Sequence, residues 1–161
     1  KIVGTGEYLV TNILNDADIV IDCSAMLNIN QYLSMLCKKL NIDYVWSSAT
    51  NGAWGGIVGK SPSSYKNDVW FDFNIEYGER KIPPIATEPS PFVQPKGCFH
   101  PTFTGTGFDL DTISIMTTRM AVSLLNGDRY GSFDFDVAIL EQWVNGRPVA
   151  PRWKELKYYH A

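Results

Sequence analysis

DADIVIDCSAMLNINQYLSMLCKKLNIDYVWSS, Asp16 to Ser48, decides the fold. The Ile/Val run between Ala17 and Cys23 is too apolar for a strand with one wet face. It reads as a central strand covered on both sides, the kind that usually belongs to a parallel sheet. Ile29, Leu33, Leu36 and Leu40 then fall at helical spacing. Ser24 is placed to serve as N-cap, and Lys38 and Lys39 stand near the C-terminus, where they complement the helix dipole. After Asn41 the run Tyr44, Val45, Trp46 reads as a second strand, so the unit is βαβ and its crossover is expected to be right-handed.

The whole chain has 161 residues, of which 45% are hydrophobic. That is enough for one cored domain and too little for two comfortable ones. No apolar run approaches the roughly 18 residues that a bilayer span needs. The formal charge is -3, and no cluster of Lys or Arg is long enough to form a stripe for a polyanion. Nucleic acid and membrane are therefore not expected as partners. Three cysteines, Cys23, Cys37 and Cys98, are odd in number and far apart, with no secretory leader before them, which predicts a reducing, cytoplasmic setting. They form no Cys-x-x-Cys pair of the kind that builds a structural zinc site.

Working outward, KIVGTGEYL at the start offers only Gly4 and Gly6 in the relation a dinucleotide-binding turn requires, and a loop or strand end reads more naturally. Thr50-Asn51-Gly52 and Gly55-Gly56 break the chain after the second strand, and WGGIVGK reads as another short strand. Between Ser61 and Gly97 the composition changes, with five prolines from Pro83 to Pro95. A long crossing segment is expected there, with one helix from Tyr65 to Tyr77. Leu110, Ile113, Met116, Met120 and Leu124 then give a second amphipathic helix, with Asp109 and Asp111 near its start and Asn126-Gly127 as its stop. SFDFDVAIL, the turn signal Asn145-Gly146 and RWKELKYYH predict an antiparallel C-terminal extension. The fold class that follows is α/β: a Rossmann-like, three-layer sheet fragment with a parallel βαβ unit and antiparallel strands at its C-terminal end.

Ligands of doubly wound sheets sit outside the carboxyl ends of the strands, and Asp22 falls at such an end. A carboxylate there can bind magnesium beside a nucleotide triphosphate or accept a ribose hydroxyl; it can equally cap the next helix. Cys98, in PKGCFHPTFTGTG, precedes a helix whose N-terminus could depress its thiol pKa, although buried cysteines are usually inert. His100 is near it in sequence, which does not establish a dyad in space. Cys23 and Cys37 lie on buried-looking elements and read as core, and the Trp and Tyr patches read as packing.

ADIVIDCSAMLNINQYLSMLCKKLNIDYVWSSATNGAWGGIV, followed by GCFHPTFTGTGFDLDTISIMTTRMAVSLLNG, resembles the second half of the ThiF/MoeB-type, ubiquitin-activating-like adenylyltransferase domain. The match covers roughly residues 16 to 127; the extension from Ser132 to Ala161 resembles tails of some bacterial members less specifically. The resemblance implies a single domain over 1–161 that is the C-terminal part of such a domain. Its parts would be a βαβ unit with the following strand over 16–60, a crossover segment over 61–97, a cysteine loop and helix over 98–127 and a β extension over 128–161. It further implies that Asp22 is the family's aspartate at the magnesium–ATP site, and that Cys98 stands at the loop cysteine that handles thioester or persulfide chemistry in some members. ATP and Mg are the implied cofactors, a ubiquitin-like or sulfur-carrier protein is the implied partner, and a homodimer is the implied assembly. Where family members continue the aspartate strand with a small residue, a second Asp, an Asn and then an Arg, this chain has Ser24, Ala25, Met26 and Asn30. The family's first half, with its glycine-rich nucleotide loop and phosphate-holding Arg and Lys, has no counterpart before Lys1, so the chain is expected to be part of a larger protein and inactive alone. Two other readings stay open: a non-catalytic dimerisation or partner-binding module, and an NAD-dependent dehydrogenase fragment, for which a glycine fingerprint would still be needed.

Overall fold

The computed structural model describes residues 10–89, 107–126 and 133–158. In chain order these form β1 (Ile19–Asp22), α1 (Leu27–Leu40), β2 (Asp43–Ala49), β3 (Gly55–Ser61), α2 (Val69–Gly78), α3 (Gly107–Leu125), β4 (Val137–Val144) and β5 (Arg147–Leu156). Among the described residues there is one five-stranded sheet, in the order β1-β2-β3-β4-β5. β1 and β2 run parallel, with Val20 beside Tyr44 and Asp22 beside Trp46. Every later pairing is antiparallel. The α/β class and the βαβ unit stand as expected.

Side-chain alternation along the strands divides the apolar residues between two cores. Tyr44 and Trp46 of β2 face α1 and α2, where they join Cys37, Val69, Trp70 and Phe73. Val45 faces α3 and packs with Val58, Ile113, Met120 and Leu140. The result is three layers, with the sheet in the middle. Each fully buried side chain such as Met120 or Val45, both 0% exposed, is worth about 1.5–3 kcal/mol of transfer free energy. The Trp46 ring lies flat across β3 because its neighbour is Gly59: a Cβ there would come within 2.1 Å of the indole.

β1 departs from the expectation of a central strand. Among the described residues it pairs only with β2, and Ile21 is 49% exposed. An apolar run reports that both faces suit burial; it carries no information on how many strands flank it. The antiparallel pairing starts earlier than expected, at β3, which spans Gly55–Ser61 and includes both glycines of the expected WGGIVGK strand.

The helices also shift at their ends and faces. Met26, not Ser24, is the N-cap of α1, and no side chain caps it. Lys38 and Lys39 do occupy the last turn, which Asn41 closes in the left-handed conformation. Ile29 of the expected apolar face is part-exposed, while the polar Asn30 and Ser34 are buried. Both have partners: Ser34 donates its hydroxyl to Asp68, and Asp68 in turn accepts from the backbone N–H groups of Trp70 and Phe71 as N-cap of α2. That cap explains why α2 begins at Val69, four residues after Tyr65. α3 spans the expected residues, with Ile113, Met120 and Ala121 buried. The Asn145-Gly146 hairpin turn is as read, with both residues at positive φ, 50° and 73°, the geometry of a type I′ turn.

Candidate functional site

Asp22 closes β1 and is 4% exposed. In the turn that follows, Ala25 adopts φ 53°, a left-handed conformation that costs a residue with a side chain energy. Within this turn the Ser24 backbone N–H donates to Asp22 Oδ1 at 2.9 Å. The other oxygen, Oδ2, accepts from Asn30 Nδ2 at 2.7 Å and from the Tyr44 hydroxyl at 3.0 Å. Tyr44 also lies 3.3 Å from the Asn30 carbonyl, but its single proton is better placed on the nearer, charged acceptor. Asn30 reaches the carboxylate from the first turn of α1, and Tyr44 from β2, whose parallel register sets it on the same sheet face as Asp22.

Burial alone would raise the Asp22 pKa, but the hydrogen bonds from Ser24, Asn30 and Tyr44 outweigh it and hold the carboxyl below its ordinary value. The Tyr44 phenol is pushed up, first by burial and then by the Asp22 charge, so it remains a donor. The carboxylate is thus ionised, buried and without a cation: the ion pairs among the described residues are Lys60–Asp136, Lys81–Glu79 and Lys157–Asp134. Such a charge is costly to leave uncompensated.

The helix-cap alternative for Asp22 does not hold in its simple form. Its acceptors serve Ser24 and the Asn30 side chain, and the N-cap position belongs to Met26. A magnesium ion fits the donor set in part. Magnesium beside nucleotide phosphates is held through one or two carboxylates with the phosphates and water; Asp22 offers one carboxylate, 4% exposed and bonded by Ser24 through both its backbone and its side chain. Among the described residues no group of three or more His, Cys, Asp or Glu side chains could hold a metal by itself, so Asp22 would be the single ligand from them.

On the opposite sheet face, a cavity of about 370 Å³ opens at the carboxyl ends of β1 and β2, against α3. Ile21, Cys23, Ser47, Ser48, Ser114 and Thr117 are in its wall, which contains no charged side chain and does not include Asp22. Cys23 is exposed here, contrary to its reading as core, because it follows the last residue of β1 on the side where the cavity opens; Ser47 donates its hydroxyl to the sulfur at 3.5 Å. Cys37 is the core residue expected: it is 0% exposed, and burial, then the charges of Asp68 and Asp22, push its thiol up to about 12. Cys98 and His100 lie outside the described residues, as do Gly4, Gly6 and Gly127. Among the described residues no helix is long and apolar enough to cross a membrane.

Asn30 and Tyr44 are the site residues that the sequence reading passed over. From the sequence, Tyr44 reads only as part of a strand, and Asn30 only as a departure from a family pattern. The available signal was positional: Val20 pairs with Tyr44, so a strand residue of β2 and the Asp two places after Val20 share a face.

No protein-family model matches the chain. It is 34% identical over 158 residues to the protein named "Uncharacterized protein y4oA" of Sinorhizobium fredii (strain NBRC 101917 / NGR234), a match that takes in 96% of this chain and 26% of that protein. The chain therefore spans about a quarter of the length of this relative. Among solved structures it is similar to PaaA (TM-score 0.50, 12% identity, 92% of this chain and 45% of that one). It is equally similar to E. coli MccB crystallised with succinimide (TM-score 0.50, 12% identity, 91% of this chain and 40% of that one). At these identities the likeness is one of fold. The chain shares the mixed α/β fold of these two proteins.

Proposed function

We propose that the chain is the C-terminal part of an ATP-dependent adenylyltransferase that activates the C-terminal carboxylate of a ubiquitin-like or sulfur-carrier protein. The observation that carries this reading is Asp22: an ionised carboxylate without a cation, buried at the carboxyl end of a parallel strand, in a chain that shares the fold of PaaA and MccB and resembles ThiF/MoeB-type enzymes in sequence. Phosphate-holding Arg and Lys residues would come from the part of the longer protein outside this chain.

Asp22 would hold magnesium–ATP, and magnesium, when bound, neutralises charge on the phosphates. A carrier carboxylate oxygen forms a bond to the α-phosphorus, the bond from that phosphorus to the bridging oxygen of the β-phosphate breaks, and pyrophosphate leaves. An acyl adenylate remains. The thiolate of Cys98 is the proposed acceptor in members that go further: sulfur bonds to the acyl carbon, and AMP departs with the electron pair. The cavity against α3 has no positive side chain in its wall, so it suits an uncharged part of a ligand and not the triphosphate.

A second reading, a non-catalytic dimerisation or partner-binding module, is favoured by the large exposed side chains Leu27, Tyr32 and Met35 of α1 and Phe71 and Ile75 of α2. ATP–pyrophosphate exchange by the full-length protein, supplied with a ubiquitin-like carrier, separates the two. Carrier-dependent exchange supports adenylyl transfer; none, together with a stable dimer on size-exclusion chromatography, supports the module. For Cys98, the Cys98→Ala protein should keep exchange and lose any thiol-sensitive adduct with the carrier.

A further inference from the structure

We propose that the cavity between α3 and the carboxyl ends of β1 and β2 binds an uncharged, amide-bearing ligand, which donates its N–H groups to a wall of hydroxyl oxygens. The site does not include Asp22, and the inference holds whether or not the longer protein transfers adenylate. At about 370 Å³ the cavity is within the range of small-ligand pockets, and it opens at the strand ends where open α/β sheets place their ligands. Cys23 and Ser47 reach it from the strands: Ile21 pairs with Val45, so the residues two places further on share the face turned to α3. The helix supplies Leu110, Ile113, Ser114, Thr117 and Thr118, which fall on one helical face.

The hydroxyl protons are already committed. Ser114, Thr117 and Thr118 donate to the helix carbonyls of Leu110, Ile113 and Ser114 at 3.1, 2.8 and 2.9 Å, and Ser47 donates to the Cys23 sulfur at 3.5 Å. Each oxygen keeps lone pairs after its single proton is spent, so these four hydroxyls meet a ligand as acceptors. Ser48 also borders the cavity, from the strand position whose side chain alternates to the opposite sheet face. Ile21, Ala25, Ala49, Leu110 and Ile113 make the remaining wall apolar, and among the described residues neither a charged side chain nor an aromatic ring lines it. A carboxylate or phosphate would meet oxygens of its own polarity with no cation to neutralise it, an ammonium would find no anion, and a nucleobase would find no ring to stack on. An amide matches the wall: its N–H groups satisfy the oxygens, and its neutral body rests on the apolar side chains.

Cys23 stands in the wall and is exposed, so its alkylation reads what enters. The test treats the full-length protein in parallel with iodoacetamide, a neutral amide, and with iodoacetate, its anionic counterpart; each forms a bond from the sulfur to its methylene carbon and releases iodide. Rates at Cys23 are followed by peptide mass spectrometry and divided by those of free cysteine. The expected result is a preference for iodoacetamide about tenfold beyond that of free cysteine, the value of one hydrogen bond, with protection of Cys23 by N-acetylalaninamide and none by acetate. Ser114→Ala, a change that favours the helix, and Thr117→Val should each bring the preference toward that of free cysteine, in proteins whose melting temperature shows them folded. A preference equal to that of free cysteine in the unmodified protein, protection by acetate as strong as by the amide, or a Cys23 that neither reagent reaches would overturn the inference. So would a preference that survives both substitutions, since repulsion of the anion by the Asp22 charge would then account for it.

Discussion

Asp22 and Asp136 are two buried carboxylates built from nearly the same parts. Each accepts from a tyrosine hydroxyl, Tyr44 at 3.0 Å and Tyr65 at 2.9 Å. Each accepts from a backbone N–H, that of Ser24 at 2.9 Å and that of Tyr158 at 2.8 Å. They are 4% and 2% exposed. The difference is the lysine. Lys60 lies 4.0 Å from Asp136, also donates to the Phe133 carbonyl at 2.8 Å, and has its pKa lowered by burial against the opposing pull of Asp136. Asp136 is thus half of a closed ion pair tying β3, the start of β4 and the end of β5 together. Asp22 has Asn30 where Asp136 has Lys60, and its charge stays uncompensated within the described residues. One arrangement closes an ion pair inside the fold; the other holds its carboxylate with neutral donors alone.

Several substitutions would break or sharpen this contrast. The largest effect on stability is expected from Asp136→Ala, which strands Lys60 in a buried site. Removal of one partner of such a pair costs about 3–5 kcal/mol, read from urea midpoints. A loss below about 1 kcal/mol would mean that the pair is not closed. Asp22→Ala should cost less, about 1–3 kcal/mol, because it leaves only neutral donors without an acceptor. The same urea experiment measures it, and a cost equal to that of Asp136→Ala would erase the distinction.

How much of this was legible in the sequence depends on the range of the interaction. The β1–α1–β2 unit, α3 and the Asn145-Gly146 hairpin follow from local periodicity and turn chemistry, and all three stand in the structure. Asp22 was marked by its place at a strand end. The residues that give it meaning are not, because Tyr44 meets Asp22 through a strand register 22 positions away, and Asn30 lies outside the apolar spacing of Ile29, Leu33, Leu36 and Leu40. The same limit hid that β1 pairs only with β2 among the described residues, since a hydrophobic run says nothing about its neighbours. Lys60 and Asp136 were likewise invisible as a pair: they come together only through the pairing of β3 with β4.

Smaller effects refine the comparison. Tyr65→Phe removes one donor from Asp136 and should cost about 1 kcal/mol while leaving magnesium–ATP affinity unchanged; a change in that affinity would show that the two carboxylates communicate. The pH dependence is expected to be the slightest signal. The folded-state pKa of Asp22 is lowered, so its ionisation stabilises the fold above the unfolded carboxyl value of about 3.9. That contribution is lost as pH falls through the lower folded value. Asp22→Asn should therefore show a shallower loss of stability below about pH 4 than the unmodified protein, followed by urea midpoints across that range. Parallel acid limbs would show that Asp22 is not held ionised by its donors.

The most direct test is magnesium-dependent ATP–pyrophosphate exchange by the full-length protein with Asp22→Asn, a change that keeps the shape of the side chain and removes its charge. The expected result is a loss of about 100-fold or more, equivalent to roughly 2.7 kcal/mol, in a protein whose melting temperature shows it folded. Undiminished exchange would contradict the claim that this carboxylate serves a magnesium-bound nucleotide.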